Sequence, residues 1–253
     1  MDLGLKGKVA FVTGASGDIG AATAVALARE GAAVAVGWHS RRERAAEVAA
    51  LVEGAGAGAT ACPVRVDQAD PVSMARAVDT VRERLGPVDV LVANAVAWPT
   101  QDQDWDALVH GLTVNAAGTM TLAETVIPDM RESGWGRIVL VSSCVVEQPA
   151  PAAAGYPAAK AAIEAAARVL ALREARHGIL TNAVRPGFTL TERALTHPGF
   201  GQELVDAESA KTPTGRICTP EDVAGLIAYL ASDANGHVNG EVVSVAGGRH
   251  LTR

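Results

Sequence analysis

Tyr156 and Lys160 are the residues whose types and spacing point most directly to acid–base chemistry. They are four positions apart, so on a helix they lie on one face. A tyrosine titrates at about pH 10, so one that transfers protons near neutral pH needs a nearby positive charge that favours the phenolate. Lys160 can supply that charge. The pair alone is weak evidence, because Tyr and Lys on a helix are more often a surface pair with apolar stems.

Two further polar residues precede this pair in the chain. Ser143 ends a predicted strand and lies thirteen residues before Tyr156, while Asn115 lies upstream in the segment Leu112–Gly118. Independent levels of evidence that agree are stronger than one motif. The four residues therefore indicate a catalytic set more strongly than Tyr156 and Lys160 do alone.

A glycine-rich loop, Thr13–Gly20, joins the first predicted strand to the first predicted helix. In this context backbone N–H groups at the helix start would hold a pyrophosphate, and a purely structural tight turn is the alternative. The end of the second strand, Val36–Arg42, contains no Asp or Glu to accept from a ribose diol. Ser40 and Arg41 there suit a 2′-phosphate, so NADP(H) is favoured over NAD(H). The alternative is that these arginines form a solvated helix start.

Alternating short apolar runs and helical stretches must position these residues. With 253 residues and 49% hydrophobic content, the chain can form one large core. The pattern predicts a single α/β domain over residues 1–253, with a doubly wound, seven-stranded parallel sheet whose ligands bind at the carboxyl ends of the strands. The predicted strands are Lys8–Thr13, Ala33–Gly37, Thr60–Val66, Val88–Asn94, Arg137–Ser143, Leu180–Arg185 and Glu241–Val245. The predicted helices are Ile19–Glu30, Arg42–Glu53, Pro71–Leu85, Trp105–Arg131 (as more than one helix), Pro157–His177 and Pro220–Ser232.

Composition argues against several classes of protein. A net charge of −6, with one dense basic run from Arg41 to Arg44, does not suit a nucleic-acid surface. The three cysteines have neither CxxC spacing nor a histidine cluster, so no disulfide framework or metal site is expected. No apolar run approaches the roughly 20 residues that span a membrane, and the N-terminus lacks the features of a signal peptide. We therefore expect a cytoplasmic protein that does not bind membranes.

The glycine-rich loop and the set Asn115, Ser143, Tyr156 and Lys160 resemble the shorter members of the short-chain dehydrogenase/reductase family. The resemblance covers nearly the whole chain, with two departures. Asp18 replaces the middle glycine of the usual TGxxxGxG loop, and a carboxylate close to a diphosphate would cost affinity. Ala93-Asn94-Ala95-Val96 replaces the usual NNAG, which predicts the loss of one side-chain hydrogen bond between neighbouring strands.

The resemblance implies a role for each residue of the set. Tyr156 would donate the proton to a carbonyl oxygen, Ser143 would hydrogen-bond that oxygen, Lys160 would hold the ribose hydroxyls and lower the pKa of Tyr156, and Asn115 would order a water-linked proton relay. The implied cofactor-binding residues are Gly14, Ser16, Asp18, Ile19, Gly20, His39, Ser40, Arg41, Asp67, Gln68, Asn94, Ala95, Tyr156, Lys160, Pro186, Gly187, Phe188, Thr189 and Thr191.

The substrate pocket is expected to be largely apolar, which suits a hydrophobic ketone, although each side chain could equally be core packing. Its expected residues are Trp98, Ser143, Cys144, Val145, Val146, Gln148, Tyr156 and Phe188, with a lid segment over about 189–212 that is mobile around Leu195–Leu204.

The subgroup resemblance is to β-ketoacyl-carrier-protein reductases and angucycline-type polyketide ketoreductases. It implies an NADP(H)-dependent ketoreductase acting on a polyketide-like or aromatic carbonyl, and a homotetramer. One alternative is a fatty-acid-type 3-oxoacyl-carrier-protein reductase, with Arg131 and Arg137 as candidate docking residues for an acyl carrier protein. An alternative of another class is an NADP-sensing regulatory protein without catalysis.

Overall fold

Short strands that are apolar on both faces form the centre of the fold. The computed structural model describes residues 2–56, 58–98, 104–149, 154–197 and 199–252. Within them the strands are β1 (Val9–Val12), β2 (Ala33–Trp38), β3 (Ala61–Arg65), β4 (Val90–Ala93), β5 (Gly136–Val141), β6 (Ile179–Pro186) and β7 (Val242–Val245). They form one parallel sheet in the order β3-β2-β1-β4-β5-β6-β7. This is the predicted doubly wound, seven-stranded sheet.

Helices cover both faces of this sheet, each with its own buried cluster. The helices are α1 (Asp18–Arg29), α2 (Arg42–Glu53), α3 (Pro71–Arg84), α4 (Trp105–Leu112), α5 (Thr119–Ser133), α6 (Gly155–Glu174), α7 (Glu192–Thr196), α8 (Gln202–Lys211) and α9 (Pro220–Leu230). One cluster packs α3, α5 and α6 against the sheet, and the other packs α1, α2 and α9 against the opposite face.

The strand order reverses between β1 and β4, and this is where the sheet opens a crevice for a ligand. Thr13, directly after β1, fastens the two strand ends together. Its hydroxyl accepts hydrogen bonds from the backbone N–H groups of Asn94 and Ala95, each at 3.1 Å. The side-chain amide of Asn94 donates back to the carbonyl oxygens of Thr13 and Gly14, at 3.1 and 3.2 Å. Side-chain hydrogen bonds of Thr13 and Asn94 therefore still join the ends of β1 and β4, although Ala93 stands in place of the first asparagine of NNAG. The Ala93 side chain packs into the core.

The segment 189–212 differs most from the sequence expectation. It contains α7 and α8, which we do not predict, where a mobile stretch is expected around Leu195–Leu204. Both are short and their apolar patterns are weak. Thr191 caps α7 by accepting from the N–H of Ala194, and the buried side chains of Ala194 and Val205 hold the helices on the protein. Tertiary packing rather than local pattern therefore defines these helices.

A short π-helical segment, Thr113–Gly118, separates α4 from α5. At its end the backbone of Gly118 lies directly against that of Gln68, and a Cβ at position 118 would be 2.0 Å from the Gln68 carbonyl oxygen. Because that oxygen is backbone, a side chain at 118 would displace the chain after β3. Gly111, in α4, has no neighbour within 4 Å of an added Cβ.

We expect Gly118→Ala to lower the free energy of unfolding by about 1–3 kcal/mol, the usual cost of overpacking. Gly111→Ala should leave it unchanged or raise it by up to about 1 kcal/mol, because alanine favours a helix over glycine. Urea denaturation at one fixed protein concentration measures both variants. Equal effects of the two substitutions would contradict the close approach at Gly118.

Candidate active site

Tyr156 and Ser143 line one cavity of about 720 Å³ at the carboxyl edge of the sheet. Tyr156 lies in the first turn of α6, and Ser143 lies two residues after β5, which ends at Val141 rather than at Ser143 as predicted. Most of the cavity wall is apolar. Its other lining residues include Trp98, Cys144, Val145, Gln148, Lys160, Pro186, Gly187, Phe188, Thr189, Phe200 and Leu204.

Burial controls the proton affinities of the two central groups. Burial raises the pKa of Tyr156 to about 12, while a hydrogen bond with Ser143 and the charge of Arg193 lower it in part. The expected lowering of this pKa by Lys160 is therefore not found. Lys160 Nζ lies 5.8 Å from the centre of the Tyr156 ring and donates instead to the Val141 carbonyl oxygen at 2.8 Å. Its own pKa is lowered to about 8, because the ammonium is fully desolvated.

Asn115 lines neither cavity at this edge of the sheet, although it is buried close by. Its side-chain amide binds the backbone of Ala97 twice: the oxygen accepts from the Ala97 N–H and the nitrogen donates to the Ala97 carbonyl, both at 2.8 Å. This fixes the chain just before Trp98. The Asn115 side chain thus positions the cavity wall, and a proton relay through this residue stays a prediction.

A buried ion pair lies beside Ser143. Glu164, in α6, accepts hydrogen bonds from Arg185 Nε at 2.6 Å, Arg185 Nη2 at 2.5 Å and the Ser142 hydroxyl at 2.6 Å. Arg185 also contacts Glu147. These bonds join α6, β6 and the segment after β5, so they hold in place the backbone that carries Ser143. The sequence analysis does not identify this network, because its members are far apart in the chain.

A second cavity, of about 620 Å³, adjoins the first along the glycine-rich loop. The loop fits a pyrophosphate. A Cβ at Gly20 would lie 2.4 Å from the Gly14 carbonyl oxygen, so only glycine allows this tight turn. No described side chain caps the start of α1, which leaves its first N–H groups available to an anion.

The residues expected to bind a dinucleotide mostly line one of these two cavities. Those of the second cavity are Gly14, Ser16, Asp18, Ile19, Gly20, His39, Ser40, Arg41, Asn94, Ala95 and Thr191. The residues around Phe188 line the first cavity with Tyr156 and Lys160. Trp38, Val66, Glu192, Arg193, Thr196 and His197 also line the second cavity but are missed from the sequence. A signal existed for Trp38, which lies in the segment Val36–Arg42, and for Glu192 and Arg193, which directly follow Thr191.

Asp18 points across the second cavity toward α7. Its carboxylate accepts a hydrogen bond from the backbone N–H of Glu192 at 2.9 Å. The Glu192 carboxylate lies 3.4 Å from Arg41 Nη1. The two contacts join the glycine-rich loop and the end of β2 to α7. Both also place a carboxylate where the sequence predicts a phosphate of the cofactor.

Three of the expected ligand-binding residues lie outside both cavities. Gln68 is buried, and its amide donates to the Val114 carbonyl and the Thr119 hydroxyl, so it connects β3 to the start of α5. Asp67 lies 3.4 Å from His39 and accepts from the N–H of Ala69. Val146 closes the short 3-10 turn that begins at Cys144. Cofactor contacts of Asp67 and Gln68 and a substrate contact of Val146 stay predictions.

Arg131 and Arg137, the candidate docking residues, differ in exposure. The guanidinium of Arg131 is held by Glu174, with two bonds of 2.7 Å. Arg137 is buried and donates to the backbone carbonyls of Ser232 and Asn235. The docking role predicted for Arg137 is therefore wrong, whereas Arg131 is exposed and its docking role stays a prediction.

Other kinds of site are not found in the described part of the chain. None of its helices combines the length and apolarity needed to cross a membrane. Residues 2–56, 58–98, 104–149, 154–197 and 199–252 contain no cluster of three His, Cys, Asp or Glu side chains arranged to hold a metal ion.

Comparison with known proteins places this geometry in a family. Residues 14–250 match the family model described as enoyl-(acyl carrier protein) reductase. A short-chain type dehydrogenase/reductase from Picea abies is 35% identical, over 97% of this chain and 93% of its own length. The short-chain reductase protein NovJ from Streptomyces niveus is 38% identical, over 95% and 93%.

A solved structure agrees with these relatives. A gluconate 5-dehydrogenase from Burkholderia cenocepacia, in complex with NADP and tartrate, superposes with a TM-score of 0.88 at 30% identity, over 100% of this chain and 98% of that one. The sequence matches and the shared fold lead to one conclusion: the chain belongs to the short-chain dehydrogenase/reductase family of nicotinamide-dependent oxidoreductases.

Proposed function

We propose that this oxidoreductase is an NADP(H)-dependent ketoreductase that reduces an apolar ketone, of the polyketide-like or aromatic kind, to an alcohol. The observation that carries the proposal is the position of Tyr156 and Ser143. Both line a mostly apolar cavity that adjoins the cavity of the glycine-rich loop. A carbonyl in the first cavity can therefore meet a proton donor and a dinucleotide at once.

Each residue near the carbonyl group has a separate role in the proposed reaction. A bound nicotinamide supplies the hydride that no side chain can provide. Ser143 donates a hydrogen bond to the carbonyl oxygen, and Tyr156 donates its proton to that oxygen as negative charge develops on it. A pKa of about 12 keeps the phenol protonated at neutral pH, which suits reduction. Lys160, whose Nζ donates to the Val141 carbonyl at 2.8 Å, would hold the ribose hydroxyls of the cofactor.

NADP(H) is favoured over NAD(H) by the basic end of β2. Ser40 and Arg41 line the second cavity, and Arg41 is half-exposed there. An arginine binds phosphate oxygens with charge-assisted hydrogen bonds. The NADP bound in the gluconate 5-dehydrogenase structure supports the same choice.

The preference for a free ketone over a carrier-bound thioester follows from the cavity and its surroundings. The wall is apolar, with Trp98, Val145, Phe188 and Phe200, and segment 189–212 forms its lid. The description of the matching family names an acyl carrier protein, which keeps a 3-oxoacyl-carrier-protein reductase as the second candidate. Arg137 is buried and not available to dock such a partner, and the exposed Arg131 is already paired with Glu174.

We further propose a homotetramer in the cytoplasm. Exposed apolar side chains on two neighbouring helices support a subunit interface: Leu108 and Val109 on α4, and Val169 and Leu172 on α6. Leu172 is 85% exposed, which favours its burial against another subunit.

The test is consumption of NADPH and NADH with a panel of ketones, sugars and 3-oxoacyl thioesters linked to a carrier protein. We expect ketones with a bulky apolar body, reduced with NADPH, to give a higher kcat/KM than the sugars and the carrier-linked thioesters. A preference for the carrier-linked thioesters would favour the second candidate. Tight NADPH binding without turnover of any compound would favour the NADP-sensing protein.

A further inference from the structure

Arg193, in α7, reaches from the lid into the catalytic cavity. Its guanidinium carbon lies 4.6 Å from the centre of the Trp98 ring and 5.8 Å from that of Phe200. The Trp98 ring is in turn 5.6 Å from the ring of Tyr156. Stacking on aromatic faces holds the planar guanidinium in place without neutralising its charge.

Other cations around this cavity have polar partners. Arg249 pairs with Glu208 at 3.0 Å, Arg185 pairs with Glu164, and Lys160 donates to the Val141 carbonyl. Arg193 forms no ion pair with any carboxylate in the described ranges. Its Nε is buried and has no hydrogen-bond partner among the described residues. A buried N–H group is normally hydrogen-bonded, so an unpartnered one at a cavity wall indicates an acceptor on a ligand.

We propose that Arg193 binds a carboxylate on the substrate, so that the ketone reduced here is a keto acid with an apolar body. This inference rests on the proposed ketoreductase function and narrows its substrate class. The carbonyl lies at Ser143 and Tyr156, the apolar body contacts Trp98 and Phe188, and the carboxylate accepts hydrogen bonds from the guanidinium of Arg193.

The position of Arg193 favours the substrate over the cofactor as its anionic partner. Arg193 lines both cavities, so a cofactor phosphate is the competing acceptor. Its charge acts on the Tyr156 phenol, and the described residues within stacking distance are Trp98 and Phe200, both outside the glycine-rich loop. The guanidinium is thus directed to the end of the site where the carbonyl is reduced.

A matched pair of ketones tests the proposal: 4-acetylbenzoate and its neutral methyl ester. We expect the wild-type protein to prefer the acid, mainly through a lower KM. Arg193→Met keeps an unbranched apolar stem beside Trp98 but removes the guanidinium and its charge, and should lower the ratio of the two kcat/KM values by about 10–100-fold. Arg193→Lys should restore part of that ratio, because it returns the charge without the planar fork.

Binding of the two ketones to the NADP-loaded protein, measured by calorimetry, separates this inference from the proposed function. Preferential binding of the acid that is lost in Arg193→Met would support the inference even if neither compound is reduced. Reduction of both compounds with an unchanged ratio in Arg193→Met would overturn it and leave the ketoreductase function standing. If Arg193→Met keeps the wild-type ratio of the two kcat/KM values but binds NADPH more than about fivefold more weakly, the inference is overturned and Arg193 binds a cofactor phosphate instead.

Discussion

Replacing Tyr156 with phenylalanine is expected to lower kcat for ketone reduction by about 10²–10⁴-fold, the usual contribution of a general acid. The substitution removes the phenol hydroxyl and keeps the ring that packs against Trp98. Phenylalanine has no hydroxyl, so the side chain at position 156 can no longer protonate the developing alkoxide. Steady-state rates with saturating NADPH and a good ketone from the panel give the effect, and NADPH fluorescence confirms that the cofactor still binds.

The chain provides its own control for this experiment. Tyr229 is the other tyrosine, lies in α9 and lines neither cavity. Tyr229→Phe should therefore behave as wild type in both rate and cofactor binding. A Tyr156→Phe protein that retains its rate to within about twofold would show that another group supplies the proton.

The second large effect is expected at Arg41. Removing this side chain by Arg41→Ala should weaken NADPH binding by about 10–100-fold and change NADH binding little, because only NADPH carries the 2′-phosphate. Fluorescence titration of each reduced cofactor measures both constants. Equal weakening of the two cofactors would contradict the phosphate pocket.

Two neighbouring substitutions sharpen this test. Arg44→Ala removes an equally exposed arginine that pairs with Glu47 and does not line the cavity, so NADPH binding should be unchanged. Glu192→Gln removes the carboxylate that lies 3.4 Å from Arg41. Because that carboxylate competes with phosphate for the same guanidinium, this variant should bind NADPH more tightly than wild type.

The sequence predicts those features that local pattern determines. α2 begins at Arg42 and ends at Glu53, as its periodicity indicates, and the parallel sheet follows from strands that are apolar on both faces. α7 and α8 escape prediction because their ends and packing depend on side chains elsewhere in the fold, such as the Asp18 carboxylate that binds the Glu192 N–H.

For the site, residue types are easier to predict than their environment. Tyr156 and Ser143 do line one cavity, yet the direction of the Tyr156 pKa shift is wrong in the sequence analysis, because burial of the phenol outweighs nearby charge. Burial is a property of the whole fold and is not encoded in a four-residue spacing. For the same reason Gln68, adjacent in sequence to plausible ligands, proves to be a structural link.

The buried pair Glu164–Arg185 restricts how this sequence can diverge. The side chain of Glu164 is 4% exposed and that of Arg185 is 10% exposed. Losing Arg185 alone leaves Glu164 as an uncompensated ion in the interior, at a cost of about 3–5 kcal/mol, and losing Glu164 alone leaves Arg185 with only the half-exposed Glu147, whereas replacing both with apolar residues is often neutral. A lineage that changes one position first therefore passes through a destabilised protein. Positions 164 and 185 should evolve as a unit, with the descendants of this chain keeping both charges or neither.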